Sequence, residues 1–352
     1  MSVFDDIDFW FNPKRKKSAK NKSSSSGFKN KSLKPSISKY QRVHPIDGVK
    51  RVANYAPEVM VKITGSGKGI KQVKNHIDYI SRNGEIELMN QDGDKLKGKE
   101  DLGFLVEEWR SGGIPLEGTK RETFNIVFSM PEGVERKPVY DAVKAFAQKE
   151  FEGHQWVMAE HRDEPHPHVH VCVVSMDREG RRLNPRKQDL FNWRVGFAES
   201  LREQGIEASA SRRVSRFQHR KYEKFAVSQI KEQAQGRFKE GREVTDREMP
   251  YIYRMQAQEL AFSLNSRQRP INPAEPYIKD INEKIEEAYK EVVQFLMVTG
   301  DKETAKNVGR FVKIQTHDKN QRSRSQVAYD KAMDKIRDRE KDREMVRKDI
   351  ER

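Results

Sequence analysis

The sequence predicts an α+β domain with a central antiparallel sheet and helices on one face, followed by a charged, mostly α-helical C-terminal region. Apolar residues alternate along the proposed strands and recur at helical spacing in the segments between them. Each proposed strand has one apolar and one polar face, which is typical of an antiparallel sheet that keeps one face open to a ligand. From residue 225 onward the pattern is helical and highly charged.

The predicted elements begin near residue 58. Apolar residues alternate over 59–63, and the glycine-rich segment 65–69 turns the chain into a helix over 69–82. The later elements are a helix near 101–110, a strand over 122–129, a helix over 137–151, strands over 155–161 and 168–174, and an amphipathic helix over 188–204.

The composition limits how much of the chain can fold and indicates its partner. Of 352 residues, 35% are hydrophobic and 35% are charged, so only part of the chain is expected to form a packed globule. The net charge of +15 favours a polyanionic partner, with nucleic acid ahead of an anionic membrane. Because no stretch approaches 18 consecutive apolar residues and the start has no apolar signal core, we expect no membrane insertion and a soluble cytoplasmic chain.

Charge and periodicity divide the chain into three predicted regions. Residues 1–50 contain 12 Lys and Arg against 4 Asp, a net charge of +8, and are predicted to be a disordered basic arm. Residues 51–224 contain the sheet pattern and are predicted to form the globular α+β domain. Residues 225–352 are predicted to be a charged helical region, whose last helix is most simply a solvated one with i,i+4 ion pairs.

Four of the nine histidines lie within residues 161–170. His168 and His170 alternate with valines in a strand, and a short hairpin would place His161 opposite His168 on the same face. A single histidine on a strand is most simply a solvated or hydrogen-bonded side chain. Three converging imidazoles instead predict a divalent-metal site. His166 falls in the loop, where we expect it to stabilise the loop or contact DNA.

A metal centre beside a basic surface suggests phosphodiester chemistry, which requires a nucleophile. Tyr79 is the strongest candidate, because it points about 140° away from the centre of the apolar face of helix 69–82 and is free to reach a substrate. The simpler alternative is an exposed surface tyrosine, and helical geometry alone favours neither interpretation.

Three motifs occur in a characteristic order: D-Y-I-S-R-N-G-E-I-E-L around Tyr79, N-I-V-F-S-M-P-E-G around Ser129, and H-x-D-x-x-H-P-H-x-H over 161–170. With them, and with L-N-P-R-K and the following segment to residue 206, the chain resembles conjugative relaxases of the mobilisation type, the MOBP class that includes the T-DNA border endonuclease. The resemblance covers roughly 58–216. The arm before the first strand is a departure, since family members often begin near that strand.

The resemblance implies a histidine–hydrophobe–histidine (HUH) endonuclease fold, in which His161, His168 and His170 hold a divalent ion, Mg²⁺ or Mn²⁺ ahead of Zn²⁺. It implies site- and strand-specific nicking of single-stranded DNA at an origin of transfer, which links Tyr79 to the 5′ phosphate. It further implies relaxosome accessory proteins, a type IV coupling protein that recognises residues 225–352, and a cytoplasmic bacterial enzyme that can enter the recipient cell with the DNA.

The remaining motif residues receive more specific expectations. Asp163 is expected either to orient a ligand imidazole or to act as an acid–base group near Tyr79. Ser129 is expected to donate a hydrogen bond to phosphate, with capping of a turn as the alternative. Phosphate contacts are expected from Arg82, Arg212, Arg213 and Arg216.

Two other functions fit parts of this pattern. A rolling-circle replication initiator shares the sheet and the histidine motif, but its tyrosine usually follows the histidines, whereas Tyr79 precedes them. A non-catalytic, metal-containing relaxosome accessory protein would need a closed metal site, which normally has four ligands. Cys172, the only cysteine, would have to be the fourth.

Overall fold

The computed structural model describes residues 10–11, 44–219, 251–316 and 322–350. The chain divides into two compact units, Met1–Arg212 and Arg213–Arg352. The predicted boundary between residues 224 and 225 lies outside the described residues, so the predicted division into three regions stays a prediction.

A six-stranded antiparallel sheet forms the centre of the first unit. In sheet order the strands are β1, β4, β6, β5, β2 and β3, so β6 is central and pairs with β4 and β5. This confirms the α+β prediction with a central antiparallel sheet. The strands are β1 Met60–Gly65, β2 Leu88–Asn90, β3 Lys95–Leu96, β4 Thr123–Ser129, β5 His154–His161 and β6 His168–Asp177.

Five helices accompany the sheet in the described part of this unit. Helices α4 and α5 cover one face, where Phe128 of β4 packs against Phe146 of α4 and Phe197 of α5, with ring centroids 5.1 and 5.3 Å apart. Burying this face supplies most of the driving force for folding. The helices are α1 Pro45–Ala53, α2 Ile70–Ile80, α3 Gly98–Ser111, α4 Arg136–Glu150 and α5 Lys187–Glu203.

Helices α2 and α3 cover the other face of the sheet over β5 and β6, which differs from the expectation of helices on one face only. The apolar stripe of α2 packs on Val157 of β5 and on Cys172 and Val174 of β6, all within one buried cluster. These apolar residues occupy the same strand face as His168 and His170, further along the strand. On β6, this face changes from the histidines at one end to Cys172 and Val174 further along.

Helix α1 lies partly within the segment predicted to be a disordered arm, so the structure differs from the prediction over residues 45–50. Ile46, Val49 and Val52 share a buried helix face, and the ring of Phe11 packs directly against Gly48. Burial of these side chains offsets the entropy cost of ordering the segment. The rest of the predicted arm, residues 1–9 and 12–43, lies outside the described residues.

The second unit is helical where it is described, which confirms the predicted helical character of the C-terminal region. The rings of Phe217, Tyr289 and Phe311 meet in its core with centroids 5.8 to 6.4 Å apart. No described helix is long and apolar enough to span a membrane. The elements are a 3₁₀ turn Arg213–Arg216 and helices α6 Tyr251–Ser266, α7 Glu275–Val298, α8 Lys302–Gln315 and α9 Arg324–Ile350.

Candidate active site

The hairpin of β5 and β6 brings three histidines to one point. His161 pairs with His168 across the hairpin, and His170 lies two residues further along β6 on the same face. Ring centroids are 5.5 Å apart for His161 and His168, 4.3 Å for His161 and His170, and 5.5 Å for His168 and His170. One ring nitrogen of each lies within 4.8 Å of the other two, and all three side chains are buried. The predicted convergence is confirmed.

Backbone carbonyls orient two of these imidazoles. The Nε2 atom of His161 lies 2.8 Å from the carbonyl oxygen of Ile80, and the Nδ1 atom of His168 lies 3.2 Å from that of His166. Because a carbonyl can only accept a hydrogen bond, these nitrogens carry the protons. The lone pairs are therefore left on Nδ1 of His161 and Nε2 of His168.

The protonation state of His161 and His170 suits metal coordination. Burial, reinforced by the neighbouring imidazoles, lowers the pKa of His170 to about 3, and burial is also the main cause that lowers the pKa of His161. Both rings are therefore neutral at pH 7. Neutral nitrogen donors that converge on one point fit a divalent cation and leave its positive charge uncancelled, which suits a phosphate ligand.

Tyr79 lies beside this triad, in the last turn of α2. Its ring centroid is 6.0 Å from that of His161 and 5.8 Å from that of His170. The preceding Ile77 and following Ile80 are fully buried, whereas the Tyr79 side chain is 53% exposed. The helix thus presents a tyrosine that a substrate can reach beside the imidazoles.

Arg82 and Asp163 form an ion pair next to Tyr79. The left-handed φ of 51° at Arg82, directly after α2, lets its side chain return over the Tyr79 ring, with Cζ 5.0 Å from the centroid. A guanidinium nitrogen also lies 3.3 Å from Nδ1 of His161. Burial acts to lower the pKa of Arg82, but the hydrogen bond to Asp163 and the electrostatic interaction with Tyr79 outweigh it and raise the pKa.

Asp163 is ionised in this arrangement. Burial acts to raise its pKa, but the hydrogen bond from Arg82 outweighs that effect, so the pKa is lowered. One carboxylate oxygen lies 3.8 Å from Nε2 of His168. A carboxylate with a lowered pKa is a weak base, so this geometry favours positioning of Arg82 over proton transfer.

Two other residues predicted to serve the site, Ser129 and His166, lie next to His168. Ser129 is buried opposite His168 in the pairing of β4 with β6, and its hydroxyl is 3.5 Å from the Met130 carbonyl oxygen. His166 lies in the hairpin loop, with its ring centroid 5.2 Å from that of His168.

The arginines predicted to contact phosphate near residues 212–216 are divided between the two units. The guanidinium carbon of Arg212 lies 5.2 Å from the ring centroid of Phe191, and burial lowers the pKa of Arg212. Arg213 and Arg216 belong to the 3₁₀ turn of the second unit.

The sequence prediction missed His76, which precedes Tyr79 by one helical turn. The two rings are stacked with centroids 6.0 Å apart and an interplanar angle of 24°. Burial, with a smaller effect from His161, lowers the pKa of His76 to about 4. Its Nε2 atom is buried without a hydrogen-bond partner among the described residues, which marks a polar position beside the triad. Its i,i+3 spacing to Tyr79 was the available sequence signal.

Arg136 was also missed, and it holds the hairpin loop by its backbone. From the first turn of α4 it donates to the carbonyl oxygen of His161 at 3.0 Å, to that of Pro165 at 3.5 Å and to that of Glu164. A cation at a helix N-terminus opposes the helix dipole, at a typical cost of about 0.3–1 kcal/mol. Its contacts with the loop give a physical reason for this otherwise unfavourable placement.

We expect Arg136→Gln to weaken divalent-metal binding by about tenfold, because loss of a group that supports a metal ligand typically costs 10–100-fold. Lys137→Gln is the matched control, since the neighbouring Lys137 faces solvent and pairs with Asp141 at 2.7 Å. Isothermal calorimetry with Mn²⁺ measures both variants. Equal metal affinities in the two variants would show that the loop holds its shape without Arg136.

Comparison with known proteins agrees with this geometry. Residues 83–206 match the family model described as "Relaxase: MobA/VirD2-like, nuclease domain", a match that begins just after Tyr79. The T-DNA border endonuclease VirD2 of Rhizobium radiobacter is 26% identical over 207 residues, which cover 49% of this chain and 48% of that protein.

Two further relatives carry the same name. VirD2 of Agrobacterium fabrum (strain C58) is 28% identical over 182 residues, covering 45% of this chain and 40% of the relative. VirD2 of Rhizobium rhizogenes is also 28% identical over 182 residues, covering 45% and 42%.

The matched region spans less than half the length of each of these relatives. No solved structure shows a significant match. The predicted relationship to mobilisation-type relaxases is confirmed: residues 83–206 match a relaxase nuclease domain of the MobA/VirD2-like type.

Proposed function

We propose that the chain is a DNA relaxase that nicks one strand at the origin of transfer of a mobile element, with Tyr79 as the nucleophile. The observation that carries the proposal is the placement of Tyr79 within about 6 Å of two of three converging imidazoles, ring centroid to ring centroid. The match to a relaxase nuclease domain supports DNA nicking as the general activity.

The proposed reaction is a transesterification. The hydroxyl oxygen of Tyr79 attacks the scissile phosphorus, and the bond from phosphorus to the 3′ oxygen of the preceding nucleotide breaks. Tyr79 loses its proton and the departing 3′ oxygen gains one. One phosphodiester replaces another, so the step needs no nucleotide cofactor, and the phosphotyrosine retains the bond for later religation.

His161, His168 and His170 are the residues that would hold the metal. A divalent ion, Mg²⁺ or Mn²⁺ ahead of Zn²⁺, supplies charge that polarises the scissile phosphate when it is bound. The carbonyl groups of Ile80 and His166 fix the orientation of two of the imidazoles. The carboxylate of Asp163 maintains the position of Arg82 and faces His168.

Arg82 has a second role in this proposal. Its guanidinium lies over the Tyr79 ring and donates a hydrogen bond to the Tyr79 backbone carbonyl oxygen at 3.3 Å. A fixed positive charge there stabilises the negative charge that develops on the attacking oxygen and on the phosphate. Arg82 thus contributes to the transition state as well as to phosphate binding. Ser129, opposite His168 in the sheet, is proposed to donate a further hydrogen bond to phosphate.

The cellular setting is part of the proposal. The substrate is single-stranded origin-of-transfer DNA in the bacterial cytoplasm, presented with relaxosome accessory proteins. Residues 225–352 are proposed to recognise a type IV coupling protein, through which the covalent complex enters the recipient cell. The VirD2 border endonucleases support a substrate of this class, since their name describes nicking at T-DNA borders.

The alternative of a structural metal in an accessory protein receives less support. Cys172, its necessary fourth ligand, is fully buried in the core beneath α2, where its Sγ lies 3.6 Å from Oδ1 of Asn125. Burial raises the pKa of the Cys172 thiol to about 12, which disfavours the thiolate that zinc requires.

A nicking assay tests the proposed function. The purified chain is incubated with overlapping single-stranded oligonucleotides from the DNA that flanks its gene, with Mg²⁺, with Mn²⁺ or with chelator. We expect cleavage at one position on one strand and a covalent protein–DNA band, both abolished by chelator. An accessory protein would bind without cutting. A replication initiator would cut, but deleting its gene would stop plasmid replication rather than transfer.

A further inference from the structure

Helix α8 carries four cationic side chains on one exposed face. They follow the spacing i, i+4, i+8 and i+11, which places them within about 80° of one another around the helix axis. Ala305, Val308 and Phe311 on the opposite face are buried. We call the exposed set the α8 basic face; it consists of Lys302, Lys306, Arg310 and Lys313.

These four charges have no acidic partner among the described residues. Elsewhere in the same unit, lysines pair with acids one turn away, as Lys284 does with Asp280 at 2.7 Å and Lys279 with Glu283 at 4.0 Å. Helix α8 contains a single acidic residue, Glu303. The α8 basic face therefore keeps its charge uncompensated, which is the electrostatic condition for binding a polyanion.

The chemistry of the helix discriminates among polyanions. A helix that binds an anionic membrane inserts its apolar face, but the apolar face of α8 is already buried in the unit's core. Single-stranded DNA is usually held by aromatic side chains on which bases stack, and Phe311, the only aromatic residue of α8, is buried. The phosphate backbone of double-stranded DNA requires neither feature.

The dimensions suit a duplex. At a rise of 1.5 Å per residue, the α8 basic face extends about 16 Å, which corresponds to roughly five base steps along one strand of B-DNA. Gly309, in the middle of this face, has open space where a side chain would begin, so a phosphate group can approach the helix closely there.

We propose that the α8 basic face binds the phosphate backbone of double-stranded DNA irrespective of sequence. The chain then has a duplex-binding surface in its second unit, in addition to the single-strand site proposed for the nuclease domain. The inference depends on the charge pattern of α8 and holds whether or not Tyr79 is the nucleophile.

Charge neutralisation tests the proposal in the full-length chain. The variant K302Q/K306Q/R310Q/K313Q is titrated with a labelled random-sequence duplex by fluorescence anisotropy at several NaCl concentrations. Each lost phosphate contact reduces the slope of log K against log [salt] by about 0.9, so we expect the slope to flatten by roughly 3 to 4. The single variant Lys306→Glu should flatten it by about 1 or more.

The matched control removes the same charge from lysines that lie among acidic residues. In K279Q/K284Q/K290Q/K335Q we expect a slope close to that of the unmodified chain. Equal flattening in both quadruple variants would overturn the proposal, because net charge alone would then explain the effect.

One further outcome is decisive. An unchanged duplex slope in the α8 variant, together with lost binding to phosphatidylserine vesicles, would assign the face to a membrane and overturn the proposal. Nicking of single-stranded origin DNA serves as the folding control and should persist in both variants. If the unmodified chain fails to nick, the duplex measurements still decide the role of α8, with circular dichroism as the folding control.

Discussion

Tyr79→Phe is expected to abolish the covalent protein–DNA adduct, with cleavage reduced by at least about a thousandfold, while DNA affinity stays nearly unchanged. Phenylalanine retains the ring that packs near His161 and His170 and beneath Arg82, and loses only the attacking oxygen. Both proteins are incubated with a labelled origin oligonucleotide and divalent metal, and adducts are resolved on a denaturing gel.

Tyr277→Phe provides the control, because Tyr277 is 69% exposed on α7 and lies in the second unit. It should form the adduct at the normal level. Adduct formation by Tyr79→Phe at the level of the unmodified chain would assign the nucleophile to another residue. Loss of DNA binding together with the adduct would instead indicate that the tyrosine hydroxyl serves in binding the substrate.

The second large effect is expected from the metal ligands. His168→Ala or His170→Ala should lower metal affinity by at least about 100-fold and reduce cleavage in parallel, because each removes one of three convergent donors. His166→Ala should change affinity only slightly, since His166 lies in the loop and contributes its backbone carbonyl to His168. Alanine leaves that carbonyl in place.

Calorimetric titration with Mn²⁺ measures these affinities, and thermal unfolding supplies an independent measurement. A ligand that binds only the folded state raises the melting temperature, so the metal-dependent increase should disappear in His168→Ala and His170→Ala and persist in His166→Ala. Equal losses in all three variants would contradict the assignment of ligands by strand alternation.

The parts of the site that follow a local repeat were predictable from sequence. Strand alternation places His168 and His170 on one face, and a short hairpin brings His161 opposite His168. The helical repeat separates Tyr79 from the buried face of α2. In both cases the relevant periodicity acts over fewer than about ten residues, where backbone geometry dictates side-chain direction.

The parts that depend on tertiary placement were not predictable. Arg136 reaches the loop only because α4 begins beside it, and no spacing in the sequence encodes that contact. The sequence analysis did not predict that helices α2 and α3 pack on the second face of the sheet. Valines and Cys172 continue strand β6 after His170, so one face of this strand changes from polar to apolar without any break in the sequence pattern. The packing of Phe11 against Gly48 was not predicted, because the basic composition of residues 1–50 indicated a disordered segment.

The last turn of α2 supports two functional groups from adjacent residues. Ile80 is buried and its carbonyl holds His161, while Tyr79 points to the triad. One residue inserted within 77–82 would rotate the residues on one side of the insertion by about 100° relative to the other side. It would displace either the Tyr79 side chain or the Ile80 carbonyl group that orients His161. The exposed turn at 92–94 joins two short strands away from these contacts, and we expect it to tolerate changes in length. Insertions and deletions among relatives should therefore accumulate at that turn and be absent from the end of α2, even where the intervening sequence has diverged beyond recognition.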